Sequence, residues 1–75
     1  MKELVLRIVK GLADSSEKAA VHESEHNGLV TLRLEVAESD KGKVIGKGGK
    51  VIKAIRTLAG AAAQKAGKKV SVEVD

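Results

Sequence analysis

The sequence predicts an α+β fold in which helices cover one face of a three-stranded mixed sheet. Apolar positions along the chain alternate between helical and strand spacing, in the order α-β-β-α-α-β. Hydrophobic residues make up 43% of the 75 residues and charged residues 32%, a balance typical of a folded domain. Cysteine is absent, so aliphatic side chains alone must form the core of one domain over residues 1–75.

The first predicted helix covers residues 2–13. Its apolar residues recur at the spacing of one helical face, and charged residues occupy the opposite face. Asp14, Ser15 and Ser16 should end this helix, because short polar side chains bond to nearby backbone groups. The predicted buried face consists of Leu4, Val5, Ile8, Val9 and Leu12.

Two strands joined by a tight hairpin should follow the first helix. Residues 19–26 are polar on both faces, which suits a strand at the edge of a sheet. Asn27-Gly28 predicts a two-residue turn, since both residues tolerate the positive φ of a type I′ turn. Residues 29–37 predict a second strand, because apolar and polar side chains alternate there.

Two further helices are predicted, the first of them short. Ser39 should cap a helix that begins at Asp40 and reaches about Ile45. Apolar residues then recur at helical spacing over residues 50–66. Gly60 lies inside this second helix, where glycine is unfavourable, and we expect close packing against a neighbour to account for it.

The last strand is predicted over residues 69–75, after Gly67 has ended the preceding helix in a left-handed conformation. Val70, Val72 and Val74 alternate with polar residues in this segment. A helical crossover separates it from the strand over residues 29–37. The two strands should therefore lie parallel to each other.

The most informative stretch is Val-Ile-Gly-Lys-Gly-Gly-Lys-Val-Ile, over residues 44–52. Glycine lets a ligand approach the main chain closely, and the lysines add positive charge at the same place. A helix beginning near Lys50 would point its free amide groups and the positive end of its dipole toward the turn. Such an arrangement favours an anion.

Charge is unevenly distributed around this turn. Residues 41–72 contain nine basic residues and no acidic one, whereas residues 1–40 contain five basic and eight acidic residues. The net charge of +4 therefore conceals a positive region that should surround the turn and attract a polyanion. Phe, Tyr and Trp are absent, which excludes aromatic stacking as a means of holding bases.

A helix, a Gly-x-x-Gly turn and a second helix are also the signature of KH domains, in which the turn clamps four backbone nucleotides. The turn here is Gly46-Lys47-Gly48-Gly49. Over essentially its whole length the chain resembles the small bacterial single-domain KH proteins of the KhpA type, including the stretches 42–47 and 53–56. This resemblance implies a type II KH fold and binding of single-stranded RNA.

The resemblance also implies a cellular context. Members of this family are RNA-binding proteins whose usual partner is a second KH protein, KhpB. We therefore expect an RNA chaperone or post-transcriptional regulator that acts with a partner KH protein or as a homodimer. A cytoplasmic location is expected, because no apolar run is long enough to span a bilayer and no signal-peptide pattern is present.

Each candidate RNA-binding residue has an expected role. Glycines of the turn should let the sugar-phosphate backbone approach, and basic side chains on the turn and its flanking helices should neutralise phosphates. Valines, together with Ile52, should form an aliphatic wall under the bases. A second glycine in the variable part of the turn departs from the family pattern and should reduce its contacts. The candidates are Lys43, Val44, Gly46, Lys47, Gly48, Gly49, Lys50, Val51, Lys53 and Arg56.

Other binding chemistries do not fit the spacing. A P-loop requires a glycine five residues after Gly42, where Lys47 stands, and a dinucleotide fingerprint requires a third glycine at Val51. His22 and His26 lack further metal ligands nearby and are interpreted as exposed polar residues of an edge strand. No serine has an evident base partner. We therefore expect no enzymatic activity, cofactor, metal or small-molecule substrate.

A different class of function remains open at this stage. A domain that contacts about four nucleotides has little specificity of its own. The chain could instead serve mainly as an interaction or dimerisation module, with nucleic-acid contact secondary. The residue pattern also leaves open whether the bound strand is RNA or single-stranded DNA.

Overall fold

The chain follows the predicted order of helices and strands in the computed structural model, which describes residues 1–75. Short 3-10 turns connect the main elements at Ser16–Lys18, Glu38–Asp40 and Lys47–Gly49. The main elements are α1 (Lys2–Leu12), β1 (Ala20–His26), β2 (Leu29–Glu35), α2 (Lys41–Ile45), α3 (Lys50–Lys65) and β3 (Lys69–Val74).

The three strands form one mixed sheet in the order β1-β2-β3. Strand β1 pairs antiparallel with β2, and β2 pairs parallel with β3. Both the edge position of the polar strand β1 and the parallel pairing are confirmed. Asn27 and Gly28 have φ values of 49° and 79°, so the predicted hairpin turn is confirmed as well.

The core lies between one face of the sheet and the helices. Alternate residues of β2 point into it, as strand geometry requires, and the intervening residues of β2 remain at least partly exposed. No helix has the length and apolar character needed to cross a membrane. The core cluster consists of Val5, Val9, Ala19, Val21, Val30, Leu32, Leu34, Val36, Val44, Ile52, Ile55, Ala59 and Val72.

Helix α1 buries a narrower face than the sequence predicts. Val5 and Val9, one helical turn apart, are completely buried, while Leu4 remains 44% exposed. Successive helical residues are about 100° apart, so a face centred on Val5 and Val9 turns Leu4 toward solvent. The prediction that Leu4 belongs to the buried face of the first helix is therefore wrong.

The start of α2 also differs from prediction. Ser39 lies exposed in a 3-10 turn and forms no capping hydrogen bond, and α2 begins at Lys41. Asp40, predicted as the first residue of this helix, instead ends the 3-10 turn and is buried, with 1% of its surface accessible.

Helix α3 ends as predicted but is packed differently at its centre. Gly67 has a φ of 71°, and the amide groups of Gly67 and Lys68 donate to the carbonyls of Gln64 and Ala63. These two bonds form a Schellman motif. Nothing lies within 4 Å of the position that a Cβ of Gly60 would occupy, so the expectation of close packing at Gly60 is wrong.

Candidate nucleic-acid interface

The glycine turn reverses the chain within four residues between α2 and α3. Gly46, Gly48 and Gly49 have φ values of 78°, 64° and 79°. The Gly46 amide donates to the Gly42 carbonyl at 2.8 Å, and the Gly49 amide donates to the Gly46 carbonyl at 3.1 Å. Three residues with positive φ in so short a segment place the start of α3 directly beside the end of α2.

Gly46 is required by the packing of the protein itself. Its ψ of 168° combines with positive φ in a region that essentially only glycine adopts. A Cβ on Gly46 would lie 2.8 Å from the Val51 backbone nitrogen and would overlap the Val51 side chain. Gly46 therefore has a packing role that the sequence does not reveal, because the position of its missing Cβ is occupied by Val51 of α3.

Gly48 and Gly49 have more open surroundings. A Cβ on Gly48 would meet no atom within 4 Å, and one on Gly49 would meet only Ile52, at 3.9 Å. Gly48 is exposed and in the left-handed conformation. The accessible part of the turn is therefore its second half, where a backbone ligand has room to approach.

Three candidate lysines surround this open half of the turn without any ion-pair partner. Lys47 lies in the turn, and Lys50 and Lys53 lie in the first turn of α3. All three are exposed, and none takes part in a salt bridge of the structure. Their charges, together with the positive end of the α3 dipole, make this region attractive to an anion.

The other two basic candidates already have partners. Lys43 forms an ion pair with Asp14, and the hydrogen bond that Lys43 donates to the Asp14 carboxylate raises the pKa of the Lys43 ammonium group. Arg56 donates from Nε and Nη2 to the Val72 carbonyl, at 3.3 and 3.2 Å. The Arg56 guanidinium therefore connects α3 to β3, a structural role that its position in the sequence does not reveal.

The positive region of the sequence divides into two parts in space. Lys65, Lys68 and Lys69 lie at the far end of α3, about 22 Å from its first residue at 1.5 Å per residue. This distance exceeds the screening length at physiological salt. Lys68 is moreover paired with Glu25 at 2.7 Å. The positive region around the turn therefore contains fewer basic residues than the sequence predicts.

The aliphatic candidates are also rearranged. Val44 is completely buried and Ile52 is 6% exposed, so both belong to the core and not to an accessible wall. Val51 is half-buried, and Ile45, which sequence reasoning missed, is 39% exposed. Successive helical residues are about 100° apart, so only one residue of the Val44-Ile45 pair can face the core.

A buried carboxylate connects the end of α1 to the start of α2. Asp40 accepts hydrogen bonds from the backbone amides of Asp14, at 3.1 Å, and Ser15, at 2.9 Å. The bond from Ser15 is the main reason why the pKa of the Asp40 carboxyl group lies below its ordinary value. Sequence reasoning missed this contact because Asp40 lies 26 residues after Asp14 and 25 residues after Ser15 in the chain.

The surface depressions of the protein lie away from the turn. One lies on the open face of the sheet and is lined by polar residues that include His22, Thr31 and Arg33. The other two lie along α1, beside Glu3 and Arg7. Any strand bound at the glycine turn would therefore contact an open surface.

Comparison with known proteins agrees with this geometry. The family model described as "KhpA/KhpB, KH domain" matches residues 2–74. The chain belongs to the KhpA/KhpB family of KH-domain proteins. A relative named RNA-binding protein KhpA, from Clostridium perfringens, is 50% identical over 74 residues, which cover 99% of both chains.

Further KhpA relatives come from other bacteria. The RNA-binding protein KhpA of Listeria monocytogenes is 43% identical, over 99% of this chain and 97% of its own length. That of Chlamydia trachomatis is also 43% identical, over 99% of this chain and 95% of its own length. The family assignment made from the glycine turn and the element order is confirmed, and these KhpA relatives are named RNA-binding proteins.

Gly46 and Gly48 of the turn should respond differently to substitution. We expect Gly46→Ala to destabilise the fold by at least about 3 kcal/mol, from backbone strain and from the clash with Val51. Gly48→Ala should cost only about 1–2 kcal/mol, because its left-handed conformation is strained but its surroundings are empty. Urea denaturation of both variants measures this difference, and equal costs would contradict it.

Asp40 should make stability depend on pH in acid. Because its folded-state pKa is lowered, its contribution is present above the ordinary pKa of Asp and is lost as the pH falls through the folded-state value. We expect Asp40→Asn to lower the melting temperature by about 4–8 °C at neutral pH. This deficit should shrink below about pH 4.

Thermal unfolding of wild type and variant between pH 2 and 7 measures the effect. Glu38→Gln is the matched control, since it removes the same charge two residues earlier from a side chain that is 88% exposed. Its melting temperature should stay within about 2 °C of wild type. A deficit of Asp40→Asn that stays constant down to pH 2 would show that the carboxylate charge is unimportant.

Proposed function

We propose that the chain, as a single KH domain over residues 1–75, binds a short segment of single-stranded RNA at the turn Gly46–Gly49. The observation that carries this proposal is the group of three unpaired lysines around the open half of the turn, Lys47, Lys50 and Lys53. Their ammonium groups neutralise backbone phosphates, and Gly48 lets the strand approach the main chain.

The amino end of α3 adds to this attraction. The helix is 16 residues long, and its N-cap Gly49 has no side chain to satisfy the first amide groups. The positive end of the helix dipole favours a phosphate close to Lys50. Lys43 and Arg56, which are engaged within the protein, are secondary contacts. Their partners would have to be exchanged before they could hold a phosphate.

Base contacts in this proposal are aliphatic. The exposed Ile45 and the half-buried Val51 flank the turn on α2 and α3 and provide the apolar surface against which bases rest. Val44 is completely buried, so it packs beneath this surface and does not contact the bases. Without aromatic side chains for stacking, affinity is modest and depends mainly on charge.

The choice of RNA over DNA, and the cellular role, are supported by the relatives. Several of them are named RNA-binding proteins. We infer that the chain acts in the cytoplasm, without enzymatic activity, as an RNA chaperone or post-transcriptional regulator. A site that reads about four nucleotides gains specificity from a partner KH domain, because two linked sites bind with the benefit of effective concentration.

Helix α3 supports a second candidate function, self-association. Its exposed side carries Ala54, Leu58 and Ala61 at helical spacing, and Leu58 is 48% exposed. Small residues around one large aliphatic side chain allow two helices to approach closely.

Replacing the centre of the turn should weaken RNA binding strongly. We expect the double variant Lys47→Asp/Gly48→Asp to bind single-stranded RNA at least about tenfold more weakly, because it removes one phosphate contact and adds two negative charges. Asp tolerates the left-handed conformation of Gly48 better than most residues, so the fold should persist. Fluorescence anisotropy with a labelled oligonucleotide measures the affinity.

A matched control places the same charge change elsewhere. Lys65→Asp/Ala66→Asp alters two adjacent exposed residues at the far end of α3 and should bind within about threefold of wild type. For wild type, three neutralised phosphates predict a slope of log affinity against log salt of about −2, at ~0.7 per phosphate. A folded turn variant that binds at full strength would overturn the proposal.

Self-association through α3 is tested by Leu58→Lys. We expect wild type to dimerise at high concentration and the variant to remain monomeric, because burying an unpaired ammonium group in a helix interface is unfavourable. Light scattering coupled to gel filtration measures the mass. Leu4→Lys is the control, since Leu4 is exposed to a similar extent on α1 and should leave the mass unchanged. A wild-type protein that is monomeric at every concentration excludes this candidate.

A further inference from the structure

Lys43 lies close to the glycine turn but has its charge engaged. It precedes Gly46 by three residues on α2, which is about 4.5 Å along the helix axis. Its ammonium group donates to the Asp14 carboxylate. Among the basic candidates near the turn, it is the one whose charge is neutralised by a carboxylate.

Asp14 is held in place by the backbone contacts of its own loop. The buried Asp40 carboxylate accepts hydrogen bonds from the backbone amides of Asp14 and Ser15, and Asp40 directly precedes α2. The main chain at Asp14 is therefore fixed relative to the helix that carries Lys43. The ion pair follows from this arrangement, although both side chains are largely accessible to solvent.

A carboxylate and a phosphodiester make similar demands on a lysine. Each carries one negative charge over two oxygen atoms that accept hydrogen bonds from an ammonium group. The Asp14 side chain is 80% exposed and that of Lys43 is 47% exposed, so water and a ligand can reach the pair. Exposed ion pairs contribute little to stability, which means that a phosphate can replace the carboxylate at small cost.

We propose that the Asp14 carboxylate competes with an RNA phosphate for Lys43 and thereby sets the affinity of the turn for RNA. This inference rests on the proposed function. While Asp14 is ionised, a strand meets three free lysines, Lys47, Lys50 and Lys53, and must displace Asp14 to use a fourth. Asp14 is thus an affinity-determining residue that lies outside the turn and contacts it only through Lys43.

The experiment is a double-mutant cycle on Asp14 and Lys43. Asp14→Asn removes the charge but keeps the backbone amide that donates to Asp40, so the loop stays in place. The four proteins are wild type, Asp14→Asn, Lys43→Gln and the double variant. Each is titrated with a labelled single-stranded RNA of about ten nucleotides at several NaCl concentrations. Asp14→Ser, which keeps the same amide, serves if the Asn variant does not fold.

We expect Asp14→Asn to bind RNA about three- to tenfold more tightly than wild type. Its slope of log affinity against log salt should steepen from about −2 to about −3, since a fourth phosphate is neutralised at ~0.7 each. The gain should disappear in the double variant, because Lys43 mediates it. Lys43→Gln alone should weaken binding little, since the charge it removes is already engaged.

Glu25→Gln is the matched control. It also removes a carboxylate that pairs with a lysine, but its partner Lys68 lies at the far end of α3. An unchanged affinity for Asp14→Asn, a gain that persists without Lys43, or an equal gain for Glu25→Gln would each overturn the inference while wild type still binds. A wild type that binds no RNA, or a Lys47→Asp/Gly48→Asp variant that binds fully, would overturn the proposed function as well.

Discussion

The close contact between Gly46 and Val51 is the constraint on which the site depends. Helix α2 has only five residues, far fewer than an isolated helix needs to be stable in water. Its position must therefore come from tertiary contacts. The absence of a side chain on Gly46 lets the end of α2 approach the backbone of Val51, and the burial of Val44 fixes the other side of α2 in the core.

Asp40 completes this arrangement from the opposite end of α2. A buried carboxylate is tolerated only when its oxygens are satisfied, and here two backbone amides of the loop after α1 satisfy them. The short helix is thus held by an apolar contact at its end and a polar one at its start. The second half of the glycine turn can be open to solvent because the contacts of Gly46, Val44 and Asp40 already position the two flanking helices.

The distribution of carboxylates then decides which basic residues are available to a ligand. The stretch 41–72 contains no acidic residue. Carboxylates from outside this stretch form ion pairs with Lys41, Lys43 and Lys68. Arg56 is engaged by a backbone carbonyl. The lysines of the turn and of the first turn of α3 have no carboxylate partner. The positive potential at the turn therefore depends on the absence of nearby carboxylates as well as on the number of lysines.

Local patterns in the sequence determined most of the fold and the place of the site. The alternation in β2, the Asn27-Gly28 hairpin and the glycine turn depend on neighbouring residues alone, so they could be recognised without a structure. The choice between Val44 and Ile45 for the core, the burial of Asp40 and the pairing of Lys43 were decided only by the tertiary structure. Each depends on groups brought together from distant parts of the chain, and residue spacing carries no record of such contacts.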